Sequence, residues 1–213
     1  HPVTVHNTFP FPPIAPDGTP TEGNGLRLYW FSQTIGPRRG LEDAVHAMGR
    51  AGIPGELHLR GRAVTEYLRS IRSMAAAAAP DLRVIHHEPC PPDSMVDSCR
   101  GYDVGLAVEP GFSRNNCLAL SNKAFTYMLA GLAVAFTDTP GQRPLAMDLR
   151  EGALLYPIGD TDALARGLKR WASDQTLLAR AKTAAWEAAK RRWHWEHPGD
   201  RGALLQAVAG VVG

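Results

Sequence analysis

A repeated alternation of predicted strands and helices indicates an α/β fold. Between residues 26 and 156, short apolar runs have the length of buried strands, and the segments between them carry apolar residues at helical spacing. Continuously apolar strands are typical of parallel sheets covered by helices on both faces. The sequence therefore predicts a Rossmann-like, doubly wound parallel sheet of about six strands, followed by C-terminal helices.

The predicted elements follow one another from Leu26 onward. The first strand precedes a helix with apolar positions from Leu41 to Met48 and with acidic residues in its first turn. A second helix runs through the alanine-rich segment that ends before Pro80, and a shorter helix is expected near residues 94–99. The strands are predicted at residues 26–31, 56–59, 82–85, 103–108, 132–136 and 153–156.

The last third of the chain is predicted to be helical. Asp160 and Asp174 carry side chains that are preferred at helix N-caps. The segment from Trp193 to Glu196 is predicted to form a joint in which Trp193 or Trp195 packs against the body, ahead of a final helix. We therefore divide the chain into an extended lead-in rich in proline and glycine, an α/β domain and a C-terminal return helix, at residues 1–25, 26–190 and 191–213.

Composition limits the classes to which this chain can belong. At 213 residues, of which 44% are hydrophobic and 21% charged, the chain can bury one substantial core. Its net charge of +2, without a concentrated basic segment, gives no indication of nucleic-acid binding. No apolar run is long enough to cross a bilayer, and the cysteines lack metal-ligand spacing and fit a reducing compartment. We expect a cytoplasmic protein that meets a membrane only through a part outside this chain.

The segment from Ser121 to Gly141 carries the most information about function. Ser121, Asn122 and Lys123 open a short helix, which a Gly turn, a buried strand and a Pro-Gly loop follow. Unpaired backbone N–H groups and the positive end of the helix dipole, with Lys123 beside them, suit a phosphate group. The segment resembles the nucleotide-sugar loop of GT-B glycosyltransferases, usually written Pro-x-Lys-Leu-Phe-Glu-Tyr-x-Ala-Ala-Gly-x-Pro-Val.

This resemblance covers about residues 3–205 of the sequence. It implies the C-terminal, donor-binding domain of a retaining glycosyltransferase of the group 1 type. Residues 3–7 resemble the segment through which the family's chain enters this domain from the first one. The resemblance thus implies a nucleotide diphosphate sugar as donor substrate, no cofactor, and an N-terminal acceptor domain that is absent from this chain.

Two further segments resemble phosphate-binding parts of the family. Residues 32–40 resemble the loop Gly-Arg-x-x-x-x-Lys-Gly, whose two basic residues hold the donor diphosphate. Arg39 matches the lysine, Gln33 replaces the arginine, and Arg38 offers a substitute charge. A solvated basic turn is the alternative. Arg60-Gly61-Arg62 resembles the family's Gly-x-Gly turn only weakly, and it places Arg62 among the donor-binding candidates.

Polar residues also follow the third and fourth predicted strands. His86 and His87 are adjacent on an extended backbone, so their side chains point to opposite sides and make a poor metal site. No metal is expected, and the resemblance implies that the loop at His87 contacts the nucleotide base. In the loop of residues 109–116, Glu109 is placed to accept hydrogen bonds from sugar hydroxyls and Arg114 to meet phosphate. Simple solvation of these charges is the alternative.

Two carboxylates of the family pattern are missing. Most members carry two Glu residues on this segment, one facing the sugar and one accepting hydrogen bonds from both ribose hydroxyls. The matching residues here are Leu118 and Thr126. Thr126 can make one such bond but offers no bidentate anion. Each lost charged hydrogen bond is worth on the order of 1.5–3 kcal/mol, so nucleotide recognition and turnover would need compensation.

The first of two functional hypotheses is a glycosyltransferase. The resemblance implies that Arg39 and Lys123 neutralise the departing diphosphate, that Ser121 and Asn122 donate hydrogen bonds to it, and that Glu109 orients the sugar. The isolated chain is expected to be inactive because the acceptor side and the closing surface lie elsewhere.

The second hypothesis keeps the fold but not the reaction. A non-catalytic binding module is favoured by Gln33, Leu118 and Thr126, each of which replaces a charged residue of the family pattern. A dehydrogenase with a dinucleotide cofactor is excluded, because no Gly-x-Gly-x-x-Gly turn follows the first strand.

Overall fold

One parallel six-stranded sheet forms the centre of the molecule. The computed structural model describes residues 4–16 and 25–212, and within them the strand order is β3-β2-β1-β4-β5-β6. The predicted doubly wound α/β fold is confirmed. The strands are β1 (Leu26–Ile35), β2 (Gly55–Ala63), β3 (Leu82–His87), β4 (Val104–Ala107), β5 (Ala133–Thr137) and β6 (Ala153–Tyr156).

Helices cover both faces of the sheet. The helices of the described residues are α1 (Leu41–Ala51), α2 (Thr65–Ala78), α3 (Met95–Ser98), α4 (Arg114–Leu118), α5 (Asn122–Leu129), α6 (Arg143–Leu149), α7 (Thr161–Ser173), α8 (Gln175–Arg191) and α9 (Pro198–Val212). Short 3-10 turns precede α3 and β6. None of these helices, within the described residues, is long and apolar enough to cross a bilayer.

The sheet separates two apolar clusters. Successive side chains of a strand point to opposite faces, so Leu28 and Trp30 of β1 join the first cluster while Tyr29 joins the second. The first face is covered mainly by α1, α2 and α7. The second face, on which Tyr29 lies, is covered by α5, α6 and the C-terminal part of α8.

The strand order reverses between β1 and β4, and this reversal positions the functional site. From β1 the chain adds β2 and β3 on one side, and from β4 it adds β5 and β6 on the other. The two strands pair only through Leu28↔Val104 and Tyr29↔Gly105. The segments that leave their carboxyl ends therefore diverge and open a crevice, which is where open α/β sheets bind ligands.

Helix starts follow the sequence closely. The side chain of Asp160 accepts a hydrogen bond from the backbone N–H of Ala163 at 2.8 Å, and that of Asp174 accepts one from Leu177 at 2.9 Å. Both predicted N-caps are confirmed. Such caps satisfy backbone donors that the first helical turn leaves unpaired.

The strands β1 and β2 are longer than predicted. Their pairing continues past Phe31↔Arg60, through an irregularity, to Ile35↔Ala63. The prediction of a turn at residues 60–62 is therefore wrong. Gly61 serves close strand packing instead: it has φ 143, and a Cβ at this position would lie 2.0 Å from the carbonyl oxygen of Ser32.

Two segments predicted as loops contain regular structure. The strand β3 extends to His87, because β2 continues to pair with it as far as Arg60↔His87. The short helix α4 begins within the predicted loop of residues 109–116 and ends at Leu118, and its N-cap Ser113 accepts a hydrogen bond from the backbone of Asn116 at 3.1 Å.

The lead-in packs against the C-terminal joint. Its described part, residues 4–16, has no regular structure, while residues 1–3 and 17–24 of the predicted lead-in lie outside the described residues. The backbone N–H of Trp195 donates to the carbonyl of Phe9 at 2.9 Å. Trp193 is 5% exposed and donates through Nε1 to Asp148 at 2.7 Å, which confirms the predicted packing of this joint. The domain boundaries stay a prediction.

Candidate functional site

A cleft of about 510 Å³ opens at the carboxyl ends of β1, β2 and β4, beside the start of α5. One part of its wall is apolar and another part carries charge. Its lining consists of Phe9, Phe31, Ser32, Gln33, Arg60, Gly61, Pro89, Cys90, Pro92, Met95, Glu109, Leu120, Ser121, Asn122 and Lys123. Five of these residues, namely Gln33, Glu109, Ser121, Asn122 and Lys123, are candidates from the sequence.

Lys123 stands in the first turn of α5, whose N-cap is Ser121. Its ammonium group lies 3.4 Å from Glu109 Oε1 and donates to Ser121 Oγ at 3.4 Å. It also lies 5.6 Å from the centroid of the Trp30 ring, which favours a cation. Among the described residues, Ser121 makes no side-chain cap of the helix. The helix N-terminus and the ammonium group are thus combined on one wall of the cleft.

Glu109 is held by three contacts. Its Oε2 accepts a hydrogen bond from Asn116 Nδ2 at 2.7 Å, and its backbone N–H donates to Thr137 Oγ1 at 2.9 Å. The other carboxylate oxygen faces Lys123. Asn116 and Thr137 were not identified from the sequence, since their roles depend on contacts between loops. Together they fix a carboxylate at the end of β4.

Arg60 is a second cation of the cleft, and sequence reasoning missed it. Its Nε donates to the Tyr29 hydroxyl at 2.7 Å and its Nη1 donates to the Glu88 carbonyl at 2.8 Å. Burial alone would lower the pKa of Arg60, but the hydrogen bond to Tyr29 contributes to a net rise. The signal was present in the pleat of β2, because Arg60 shares a face with the aromatic side chains of β1.

Four predicted basic residues lie away from this lining. Arg38 and Arg39 are exposed in the turn after β1, where Arg38 has φ 63 and Arg39 acts electrostatically on Tyr67 of α2. Arg62 is exposed near the end of β2, and Arg114 is exposed on α4. The structure does not bring their side chains together with Lys123.

Thr126 and His87 also lie outside the lining. Thr126 is fully buried in α5, and its hydroxyl has no hydrogen-bond partner among the described residues. His87 Nε2 lies 2.8 Å from Nδ1 of His58, whose Nε2 lies 2.9 Å from Glu56. Burial is the main cause that lowers the pKa of both imidazoles. His87 belongs to a polar chain on the sheet rather than to the cleft wall.

The sequence matches no protein-family model and no curated protein. Solved structures do resemble the chain. A mutant of S. aureus TarM in complex with fondaparinux, α-GlcNAc-glycerol and UDP is 11% identical, with a TM-score of 0.73, and the match covers 97% of this chain and 38% of that one. Sucrose-phosphate synthase from Thermosynechococcus elongatus is 19% identical, with a TM-score of 0.69 and coverages of 89% and 46%.

A third similar structure is Anabaena HepE in complex with UDP and glucose, at 16% identity and a TM-score of 0.67. The match covers 98% of this chain and 56% of HepE. This chain therefore spans between 38% and 56% of the length of these three proteins. At such low identity the likeness concerns the fold. The chain has the fold of the C-terminal domain of GT-B glycosyltransferases, as its motifs predicted.

Proposed function

We propose that this chain is the donor-binding domain of a glycosyltransferase, which transfers a sugar from a nucleotide diphosphate sugar to an acceptor with retention. One observation carries the proposal: at the strand-order reversal, Lys123 Nζ, in the first turn of α5, lies 3.4 Å from the fixed carboxylate of Glu109. A cation beside a helix start suits the diphosphate, and a carboxylate next to it suits the sugar hydroxyls.

The residues of the cleft would have separate roles in the reaction. Lys123 neutralises charge that develops on the leaving diphosphate, with donors from Ser121 and Asn122, and Glu109 accepts hydrogen bonds from the sugar. In the structure Lys123 already pairs with Glu109, so a bound phosphate replaces one anionic partner with another. No metal or cofactor enters this scheme. Arg39, a predicted catalytic cation, lies outside the cleft and has no role in it.

Partners follow from the comparison with longer proteins. The structures of TarM and HepE contain UDP, and each chain is about twice as long as this one or longer. We propose a nucleotide-sugar donor for this chain and an N-terminal acceptor domain in the same protein, in a cytoplasmic setting and without nucleic acid. A membrane contact, if any, would lie on that other domain. The domain alone is expected to be inactive.

A non-catalytic binding module is the second candidate. Leu118 is 57% exposed and Thr126 is completely buried, so neither replaces the carboxylate that the family places at its position. A site that binds a nucleotide without reading its ribose is compatible with sensing or partner recruitment. Binding alone does not separate the two candidates, whereas transfer by the complete protein does.

Titration with nucleoside diphosphates, followed by backbone amide chemical shifts, tests the site. We expect a Kd of about 0.1–1 mM, equivalent to roughly 4–5.5 kcal/mol, because no second domain closes over the ligand. Shifts should concentrate at Glu109 and in the segment from Ser121 to Lys123. Lys123→Ala should weaken binding more than Arg62→Ala does. If no diphosphate shifts these residues, or if both variants bind equally, the donor-site proposal is wrong.

A further inference from the structure

The cleft has a cation where the family pattern does not provide one. Gln33 stands at the position of a phosphate-binding arginine, and it lines the cleft as a neutral side chain. Arg60 lines the same cleft from the neighbouring strand, since β1 and β2 pair through Phe31↔Arg60. The positive charge that β1 lacks at Gln33 is thus supplied by Arg60 on the neighbouring strand β2.

Arg60 is held by neutral groups. The Tyr29 hydroxyl and the Glu88 carbonyl accept its two hydrogen bonds, and the Tyr102 hydroxyl interacts with it as well. No carboxylate lies within salt-bridge distance of Arg60 in residues 4–16 and 25–212. Lys123, by contrast, is paired with Glu109. Arg60 is therefore the cleft cation whose charge is not compensated by the protein.

The two cations flank the cleft at a useful spacing. Arg60 lies on β2 and Glu109, the partner of Lys123, follows β4, with β1 between these two strands. Adjacent strands are about 4.8 Å apart, so the two backbones are separated by about 10 Å. Arg60 and Lys123 both line the cleft, so a ligand with two consecutive phosphate groups is long enough to contact both cations. A ligand with a single phosphate would meet only one cation.

We propose that Arg60 binds one phosphate of the donor diphosphate opposite Lys123, and that this second contact makes the cleft selective for diphosphates over monophosphates. The inference rests on the proposed function and adds a residue and a specificity to it. Tyr29 acts as a positioning residue: its ring stacks on Tyr102 at 4.4 Å between centroids, and its hydroxyl fixes the guanidinium. An arginine held in this way makes directional contacts to phosphate with little loss of side-chain freedom.

Binding of UDP and of UMP to the wild type and to variants tests this inference. Arg60→Gln should raise the Kd for UDP about tenfold or more, because it removes a charge-assisted contact, while the Kd for UMP changes less. The ratio of the two affinities should fall toward one. Arg72→Gln, which removes an exposed arginine of α2, is the charge-matched control and should bind both nucleotides like the wild type.

Two more variants test the geometry. Arg60→Lys keeps the charge without the fork of donors and should lie between the wild type and Arg60→Gln. Tyr29→Phe keeps the stacked ring and should weaken UDP binding about threefold, with most of the preference over UMP retained. Urea unfolding of each variant reports whether it folds, and Arg60→Lys remains informative if Arg60→Gln does not fold.

Failure of the inference differs from failure of the proposed function. If Lys123→Ala weakens UDP binding but Arg60→Gln binds UDP within twofold of the wild type, the assignment of Arg60 is wrong and the donor site stands. Equal losses for UDP and UMP in Arg60→Gln also overturn it, because they indicate a structural role. If the wild type does not bind UDP at all, both proposals fall.

Discussion

The second face of the sheet has two halves with opposite character. Around β4 and β5, the apolar half is filled by large side chains of α5, α6, the strand β5 and the C-terminal joint: Phe125, Tyr127, Leu145, Phe136 and Trp193. On β2 and β3, the polar half carries Glu56, His58, Arg60 and His87, and the connection that follows β3 contains only a short 3-10 turn and the four-residue helix α3. The thickness of the helical cover decides which side chains a strand can carry.

This difference explains why the two cations of the cleft are positioned in different ways. On the apolar half, close packing fixes α5, so the position of Lys123 follows from the position of its helix. On the polar half, Arg60 is placed by individual hydrogen bonds to Tyr29 and Glu88. A ligand between the halves meets one cation positioned by packing and one positioned by polar contacts.

The largest expected effect is a loss of stability from a substitution in the apolar half. Phe125 is 1% exposed, and its ring stacks on Trp193 with 5.5 Å between centroids. Phe125→Ala removes this ring from a site that cannot collapse easily, so it should lower the free energy of unfolding by about 3–5 kcal/mol, measured by urea denaturation. Leu118→Ala is the control, because Leu118 is 57% exposed, and it should change stability little. Similar losses in both variants would contradict the packing described here.

A smaller effect is expected from two buried threonines of the apolar half. Thr137 Oγ1 accepts from the backbone N–H of Glu109 and donates to the Tyr156 hydroxyl at 3.4 Å. Thr137→Val leaves these groups unpaired and should cost about 1–3 kcal/mol. Thr126→Val removes a hydroxyl without a partner among the described residues and should stabilise the protein by about 1 kcal/mol.

The variant Thr126→Val also tests the predicted ribose contact. If Thr126 contacts the ribose, Thr126→Val should weaken UDP binding. Because Thr126 is fully buried, we instead expect the variant to bind UDP like the wild type. Calorimetric titration of the variant with UDP distinguishes these results. A loss of stability in Thr126→Val together with weaker binding would show that its hydroxyl has a partner and that our description of this half is wrong.

Sequence reasoning predicted what depends on periodicity and local signals. The six-stranded sheet, the caps at Asp160 and Asp174 and the helix start at Lys123 follow from alternation, apolar spacing and capping chemistry. Glu109 was chosen because it follows the fourth predicted strand, and it lines the cleft. These features are encoded within single elements or in their order along the chain.

The rest of the site depends on contacts between elements. Sequence reasoning chose Arg62, whereas Arg60 lines the cleft, because the end of β2 is set by its pairing with β1, which no local signal reveals. Arg39 matches a motif, yet its side chain is exposed in the turn after β1, near Tyr67 of α2 and outside the cleft lining. Thr126 was taken from its position in the pattern, whereas the rotation of α5 buries it. Register and helix rotation are tertiary properties.

The smallest expected effect concerns the polar half and its dependence on pH. Burial, the larger influence on His58, lowers its pKa below 6.5, and burial likewise lowers the pKa of His87. The imidazoles of His58 and His87 therefore bind a proton more weakly in the folded protein than in the unfolded chain. Stability should be complete above about pH 6.5 and should decline as the pH falls through the lowered pKa values. The hydrogen bond from His58 to Glu56 offsets part of this burial effect, so the decline is smaller than the effect of Thr137→Val.

Urea unfolding at pH 7.5 and pH 5.5 measures this decline. His58→Gln should be less stable than the wild type at the higher pH and should lose less stability on acidification, since the buried one of the two imidazoles is gone. His46→Gln, which alters an exposed position of α1, should keep the wild-type dependence. The charged neighbours that influence the two imidazoles are Glu56, Arg27, Arg83, Arg60 and His86, and they remain in both variants. If His58→Gln loses as much unfolding free energy between the two pH values as the wild type does, His58 does not couple folding to pH. The polar half would then accommodate a protonated His58 as well as water does.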